Sequence, residues 1–266
     1  MKLSTIHILF LVFAVLFWSS CNSGLKEGAE KEFGHLQINF SHNVQMDTFM
    51  YVNASGNPFL VSEIQYFISD VTLHKSNGDK VLLNAYDDIH YVDTDIIETL
   101  EYVLKDSIPV GEYSKVSFTF GINEEKNNPM IFVNPPESFM FWPIYLGGGF
   151  HYMKLNGKWL NKEDVTKVFN FHLGVGQEYD ENRKIVSFHQ NYFDVKLPNS
   201  SVLIKTDETS EIELVMNVHN WFTGPHDYDF NKWGGKIMQN QEAMKLGCEN
   251  GKNVFSINKI EYKDIK

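Results

Sequence analysis

The sequence predicts an all-β protein, an antiparallel β-sandwich of the immunoglobulin-like or jelly-roll type with a short C-terminal helical or irregular segment. Two observations favour this fold. Many short runs alternate apolar and polar residues with a period of two, as strands do when one face is buried. Turn sequences rich in Gly, Pro, Asn and Ser separate these runs at intervals of roughly 8–12 residues, and helical periods are few.

The first strand shows the alternation clearly, because Leu36, Ile38, Phe40 and His42 fall on one face. Residues 94–105 fit either a short helix or a strand, and residues 229–246, followed by a glycine, are the best helical candidate. The predicted strands lie at 35–42, 49–52, 59–74, 81–83, 89–92, 116–120, 139–145, 150–155, 168–173, 185–188, 193–197 and 211–218.

The first twenty residues are typical of a secretory signal peptide. The apolar run Ile8–Trp18 is eleven residues long, shorter than the about 20 residues that a membrane-spanning helix needs. Two serines directly before Cys21 resemble a bacterial lipobox, which predicts cleavage before Cys21 and lipidation of its sulfur. Residues 21–34 would then be a lipidated tether. The alternative is a plain signal peptide in which this cysteine is incidental.

Net charge and cysteine content limit the partners of the mature protein. The formal net charge of −11 becomes −12 when residues 1–20 are removed, because that segment carries one lysine and no other charged residue. Such an acidic protein has no basic surface for nucleic acid, and we expect contact with a membrane through the lipid alone. With Cys21 lipidated, Cys248 has no intramolecular disulfide partner. These features predict a cell-envelope lipoprotein of the outer membrane, facing the periplasm or the cell surface.

The remaining length divides into a sandwich domain at 35–220 and a C-terminal extension at 221–266 packed on it. The sequence contains no G-x-S-x-G, H-E-x-x-H, P-loop, dinucleotide glycine fingerprint or C-x-x-C motif. The residues therefore give no support to a hydrolase or an isomerase.

The most informative stretch for function runs from Met140 to Trp159, where aromatics, methionines and a histidine surround three consecutive glycines. Imidazole and thioether groups are ligands that copper accepts. His42 lies on an apolar strand face, and a buried imidazole needs a partner there. His172 lies on the face opposite its apolar neighbours, so a ligand there would sit between sheet and loop. His151 follows the glycines, and alternation places it on the same face as Met153 and Leu155. For each histidine taken singly, a structural role is the alternative.

Several short motifs follow one another over roughly residues 35–220. They are Phe40-x-His42, Ile68-Ser69-Asp70-Val71-x-Leu73, His90-Tyr91-Val92-Asp93, Phe118-x-Phe120-Gly121-Ile122-Asn123 with a following Asn127, Met140-Phe141-Trp142, Lys154-Leu155-Asn156-Gly157 and His172-Leu173-Gly174. No single motif is specific, but in their order and spacing together they resemble the MbnP-like family of bacterial copper-binding proteins.

The resemblance implies a β-sandwich protein without catalytic activity of its own, often beside a di-haem peroxidase-like partner protein. It also implies copper binding through two histidines and a tryptophan oxidised to kynurenine. His42 and His172 match the recurring histidines of the family, and Trp142 matches its tryptophan. His151 lies in a glycine-rich segment that the more familiar members lack or shorten, and it competes with Trp142 for the third position. The expected metal site is therefore His42, His172, His151 and Trp142, and the expected cofactor is copper.

Two other functions fit the sequence. A structural or adhesive sandwich would bind a protein partner through exposed aromatics around Trp221, Phe222 and Trp233. A glycan-binding module would use aromatic side chains as a stacking platform, for which the candidates are Trp142, Tyr152 and Trp159.

Overall fold

Residues 32–84 and 88–265 are described by the structure, a computed structural model. The signal peptide, Cys21 and most of the tether lie outside these residues. The strands are β1 (Phe33–His42), β2 (Tyr51–Val52), β3 (Pro58–His74), β4 (Lys80–Leu82), β5 (Ile89–Asp93), β6 (Glu101–Pro109), β7 (Gly111–Tyr113), β8 (Lys115–Phe120), β9 (Met153–Leu160), β10 (Thr166–Leu173), β11 (Gly176–Tyr179), β12 (Ile185–His189), β13 (Phe193–Lys196), β14 (Val202–Ile204), β15 (Glu208–Met216) and β16 (Phe255–Asp264).

Helices are short. Two α-helices, α1 (Phe230–Trp233) and α2 (Gln241–Gly251), lie near the C-terminus. Within the described ranges, none of the helices is long and apolar enough to cross a membrane. The prediction of an all-β sandwich with a short C-terminal helix is confirmed. Single turns of 3₁₀ helix form at Ile97–Leu100, Glu137–Met140, Ile144–Leu146 and Val218–Phe222.

Two sheets form the sandwich. The first has the order β16-β15-β1-β6, and the second has the order β10-β9-β3-β8-β13, with β2, β4 and β5 also pairing with β3. Most pairs are antiparallel, but β1 and β15 are parallel, with His42 beside Met216. A parallel pair joins segments far apart in sequence, which strand periodicity does not reveal.

The core lies between the inner faces of the two sheets. The ring of Phe40 on β1 packs 6.2 Å from that of Tyr66 on β3, and Phe255 on β16 contacts the same tyrosine at 6.0 Å. The middle of β3 is buried on its outer face as well, because Phe67 stacks on Phe132 with centroids 5.3 Å apart. Residues 121–152 therefore form a covering loop over the outer face of the second sheet, and the candidate site lies under it.

The C-terminal part of the chain adds a strand to the first sheet and packs aromatic side chains on the second. Trp221 and Phe222 are fully buried, and both pack on Phe171 of β10, with centroids 5.9 and 5.2 Å away. The strand β16 completes an edge of the first sheet by pairing with β15 along its whole length. The sequence did not predict β16, because its mostly exposed residues carry charges that obscure the apolar period.

Residues 94–105 and the helical candidate at 229–246 each contain two elements instead of one. Residues 97–100 form a 3₁₀ turn and residues 101–109 form β6, so the segment 94–105 contains both structures that the sequence allowed. The helical candidate 229–246 splits into α1 and the beginning of α2, because Gly234 with φ 73° interrupts the helical turn.

Candidate functional site

His172 is placed by the register of β9 and β10. It stands directly opposite Lys154 of β9, and the neighbouring pair is Leu173 with Met153. Phe171 and Leu173 point into the core and are buried, so alternation directs His172 to the outer face. The sequence analysis placed His172 on the face opposite its apolar neighbours, between sheet and loop, and the structure agrees.

The covering loop brings His151 onto the same face. The backbone N–H of His151 donates to the Met140 carbonyl at 2.6 Å, and Tyr152 then donates to the Leu173 carbonyl at 2.8 Å. The expected face-sharing of His151 with Met153 does not hold, because His151 precedes the first residue of β9 and does not follow its alternation. The His151 ring instead lies edge-on to that of His172, with centroids 5.0 Å apart and planes at 84°.

The glycine run lets the loop return to the sheet. Gly147, Gly148 and Gly149 all have positive φ, as three glycines within strand-like sequence suggested. At Gly149 (φ 81°) an added Cβ would lie 2.5 Å from the side chain of Asn127. The amide oxygen of Asn127 in turn accepts the Phe150 N–H at 2.9 Å, directly before His151.

Asn127 is itself anchored to β3 through a network of polar side chains. Asp70 sits at a bulge of β3 with φ 54°, and its carboxylate accepts a hydrogen bond from Asn123 at 2.9 Å and pairs with Lys126. The Asn127 N–H donates to the Asn123 carbonyl at 2.9 Å. The motifs around Asp70 and Asn123 thus fix the position of the loop that carries His151.

Trp142 completes the cluster. Its ring lies 4.7 Å from that of His151 at 77°, and its Nε1–H donates to the Leu146 carbonyl at 3.0 Å. The ring packs on Gly174, where a Cβ would meet it at 2.5 Å. The Met140-Phe141-Trp142 and His172-Leu173-Gly174 motifs are therefore in direct contact, and the glycine leaves the space that the indole fills.

Hydrogen bonds fix the tautomers of the two histidines. Nδ1 of His151 lies 2.9 Å from the Met140 carbonyl oxygen, which only accepts, so Nδ1 carries the proton and Nε2 the lone pair. Nε2 of His172 lies 2.9 Å from Oδ1 of Asn156, whose amide nitrogen donates to Glu63. Nε2 therefore carries the proton of His172, and Nδ1 has the lone pair.

Both imidazoles are neutral at pH 7. Burial lowers the pKa of His151 to about 3 and that of His172 to about 4. Repulsion from His172 lowers the pKa of His151 further, and the nearby Lys154 ammonium acts in the same direction on both rings. Neutral imidazole is the form that binds a metal ion.

His42 lies elsewhere. Its ring packs 5.8 Å from Tyr66, which stands opposite Met153 on the inner face of the second sheet. Residues paired across strands share a face, so His42 lies on the inner side of this sheet, whereas His172 lies on the outer side. The structure brings together His151, His172 and Trp142 and does not bring His42 to them. Burial lowers the pKa of His42 to about 4, and its Nε2 has no hydrogen-bond partner among the described residues.

The structure adds residues that the sequence analysis did not single out. Lys154 and Asn156 lie on the same face as His172 and act on it through charge and a hydrogen bond. A cavity of about 340 Å³ beside His172 is lined in addition by Met238, which comes from the loop before α2. Strand alternation would have placed Lys154 and Asn156, but nothing in the sequence indicates the approach of Met238.

The side chains around His151 and His172 offer few ligands for a metal ion. Within residues 32–84 and 88–265 there is no cluster of three or more His, Cys, Asp or Glu side chains able to hold one. The two-histidine arrangement nevertheless fits an ion of low coordination number. Two imidazoles on one ion at ~2.0 Å have centroids roughly 4.5–6.3 Å apart. The 5.0 Å separation of His151 and His172 lies in this range and corresponds to a bent rather than a linear arrangement. Each ring also donates its other N–H to an oxygen, as metal-binding histidines usually do.

Comparisons with known proteins give one family. The family model described as MbnP matches residues 33–243. Among solved structures, the chain is similar to MbnP from Methylosinus trichosporium, at 12% identity over 69% of this chain and 76% of that chain, with a TM-score of 0.43. No curated protein matches the chain. The family assignment therefore depends on the sequence match over residues 33–243.

Proposed function

Because the chain belongs to the MbnP family, we propose that it is a non-catalytic copper-binding protein of the cell envelope, with His151 and His172 as the imidazole ligands. One observation carries this proposal: two neutral histidine rings lie edge-on with centroids 5.0 Å apart under the covering loop, each with one N–H bonded to an oxygen and the other nitrogen free of its proton. The contact between two such rings, rather than the hydrogen bonding of either one, is what points to a shared ion.

Copper suits this donor set better than other common metals. Cu(I) accepts two imidazoles with a weak third ligand, whereas structural zinc takes four ligands at tetrahedral angles. Trp142 is the proposed third participant, since its ring contacts His151. Its oxidation to kynurenine would place a ketone and an aromatic amine beside that imidazole. The soft sulfur of Met238, which shares a cavity with His172, is a further candidate donor beside Met140. Met153 is not a candidate, because it lies on the inner face of the sheet.

The proposed location is the outer membrane, with the lipid on Cys21 as the anchor. The short apolar run before two serines and a cysteine supports this location. Cys21→Ala should release the protein from the membrane fraction, and continued fractionation with membranes would exclude lipidation as the anchor.

A partner protein that oxidises Trp142, such as a di-haem peroxidase-like protein, would have to act on a buried indole, because Trp142 is 0% exposed. Apolar side chains on both sides of it in sequence are exposed: Phe139, Phe141, Ile144 and Tyr145. Exposed apolar groups of this kind mark protein contact sites. If this surface receives the partner, Ile144→Ser should lower kynurenine formation when the two proteins are co-expressed, as read by intact mass. An unchanged kynurenine yield would remove the surface from the proposal.

The same exposed side chains favour a second candidate, a sandwich that binds a protein partner without metal. A glycan platform built from Trp142, Tyr152 and Trp159 is not favoured, because all three side chains are buried and present no face for stacking. Trp221 and Phe222 are likewise buried, so of the three aromatics expected to form a partner surface there only Trp233 is partly exposed.

Copper titration tests the first proposal. The purified mature protein should bind one Cu(I) in competition with a chromogenic chelator. His151→Ala and His172→Ala should each weaken Cu(I) binding by about tenfold or more, as loss of one metal ligand does. His35→Ala, at an exposed position of β1, is the matched control. His42→Ala should also leave Cu(I) affinity unchanged, since its ring lies on the other side of the sheet. Absence of copper from protein purified from its native envelope would favour the second candidate.

A further inference from the structure

Lys154 places a positive charge beside the histidine pair, and geometry holds it there. It stands directly opposite His172 across β9 and β10, on the same outer face. Its Nζ donates to the Phe139 carbonyl at 2.5 Å. The next residue is Met140, whose carbonyl accepts the Nδ1–H of His151. The ammonium is thus attached to the turn that positions one histidine and to the strand pair that positions the other.

Two carboxylates near this ammonium oppose the effect of burial, although the net pKa of Lys154 is lowered. Burial lowers the pKa of Lys154, whereas the nearby carboxylates of Glu63 and Asp93 raise it. Glu63 is engaged by the amide of Asn156, and Asp93 accepts hydrogen bonds from Gln65 at 3.0 Å and Tyr91 at 2.7 Å. Hydrogen bonds from these neutral donors hold both carboxylates on their own side of Lys154. The charge that acts on His151 and His172 is that of Lys154, and neither carboxylate is among the groups that shift their pKa values.

We propose that Lys154 is a specificity-determining residue of this site, one that disfavours divalent ions and so selects Cu(I). The inference depends on the proposed copper site at His151 and His172. Neutral imidazole ligands alone bind divalent ions in the general order of divalent affinity. They carry no charge that would favour a monovalent ion over a divalent one. The repulsion between a fixed ammonium and a bound ion is proportional to the charge of the ion, so a divalent ion experiences twice the unfavourable energy of a monovalent one.

The proportionality gives a quantitative expectation for Lys154→Met, which removes the charge and keeps a side chain of similar length. Because the free energies scale with ion charge, the factor by which Zn(II) binding tightens should be the square of the factor for Cu(I). A gain of about tenfold for Cu(I) therefore corresponds to about a hundredfold gain for Zn(II). Zinc serves as the divalent probe because it has no redox chemistry.

The experiment compares Cu(I) and Zn(II) dissociation constants for four proteins: wild type, Lys154→Met, Lys154→Arg and Lys158→Met. Lys154→Arg keeps the charge and should keep the preference for Cu(I). Lys158 is an exposed residue on the same strand and face as Lys154, four residues further along, and is the matched control. Its variant should bind both ions as wild type does.

Each outcome decides the matter. A larger gain for Zn(II) than for Cu(I) in Lys154→Met supports the proposal, as does Zn(II) binding that appears only in that variant. Equal gains for both ions, or no gain, would overturn it, because packing rather than charge would then be responsible. If the wild type binds copper and His151→Ala and His172→Ala do not weaken it, the proposed site itself is wrong. If none of these proteins binds either ion, both proposals fall.

Discussion

At the scale of single residues, the protein keeps several histidines neutral inside a β-sandwich. His42, His90, His151 and His172 all have pKa values lowered to between about 3 and about 4 by burial. His90 is satisfied structurally, since its ring lies 4.2 Å from that of Tyr102 and its Nε2–H donates to the Thr99 carbonyl at 2.8 Å. His42 has neither a partner for its Nε2 among the described residues nor a position in the proposed site.

These lowered pKa values predict a loss of stability in mild acid. The unfolded chain takes up protons near the ordinary histidine pKa of about 6.5, whereas the folded chain does so only near pH 4. The stability that neutral His42 provides is therefore present above pH 6.5 and is lost as the pH falls toward 4. For each such histidine the slope approaches about 1.4 kcal/mol per pH unit.

His42→Leu should therefore flatten this dependence, and at pH 7 it should leave the free energy of unfolding unchanged or raised, because a buried unpaired nitrogen is removed. Urea unfolding between pH 7 and pH 4.5 measures both effects, with His35→Leu as the exposed control. An unchanged slope in His42→Leu would show that this histidine does not titrate as described.

At the scale of elements, the covering loop is the part that creates the site, and the sequence predicted it only in part. The density of aromatics and glycines between Met140 and Trp159 identified the segment, and alternation placed His172 on its correct face. The partnership of His151 with His172 was not predictable, because it depends on a loop path that Asn127 and the bulge at Asp70 define. The separation of His42 from this pair likewise depends on which sheet each strand joins.

Gly149→Ala tests the role of the loop path. The variant forces a Cβ into the Asn127 side chain and adds the cost of a positive φ, so it should lower both stability and Cu(I) affinity. Gly56→Ala is the matched control, because Gly56 has a similar φ of 78° but no atom within 4 Å of the added Cβ. Equal losses of Cu(I) affinity in the two variants would mean that the path of the loop does not set the site.

The packing of β16 against the core leads to a second prediction about an element. Phe255 of β16 is 5% exposed and contacts the rings of Tyr66, Phe118 and Phe120. Phe255→Ala should lower the free energy of unfolding by about 3–5 kcal/mol, as large-to-small core changes do. Lys259→Ala, on the same strand with an exposed ion pair, should cost less than about 1 kcal/mol. A small effect of Phe255→Ala would mean that β16 is not part of the core. That result would agree with the boundary predicted from the sequence, in which the sandwich domain ends at residue 220.

At the scale of the whole molecule, strand periodicity was sufficient for the fold class because both sheets have one face in a common core. It was not sufficient for the sheet order, since the parallel pairing of β1 with β15 and the edge position of β16 depend on contacts distant in sequence. The family motifs are explained by this architecture: Asp70, Asn123 and Asn127 hold the covering loop, and Gly174 makes room for Trp142. The proposed function follows from what that loop encloses.

X-ray absorption at the copper edge of the Cu(I)-loaded mature protein tests the central claim most directly. The account predicts scattering from two imidazole nitrogens at roughly 2.0 Å, reduced to one imidazole in His151→Ala and in His172→Ala and unchanged in His42→Ala. A spectrum without imidazole scattering, or one in which His42→Ala removes an imidazole and His151→Ala does not, would contradict it.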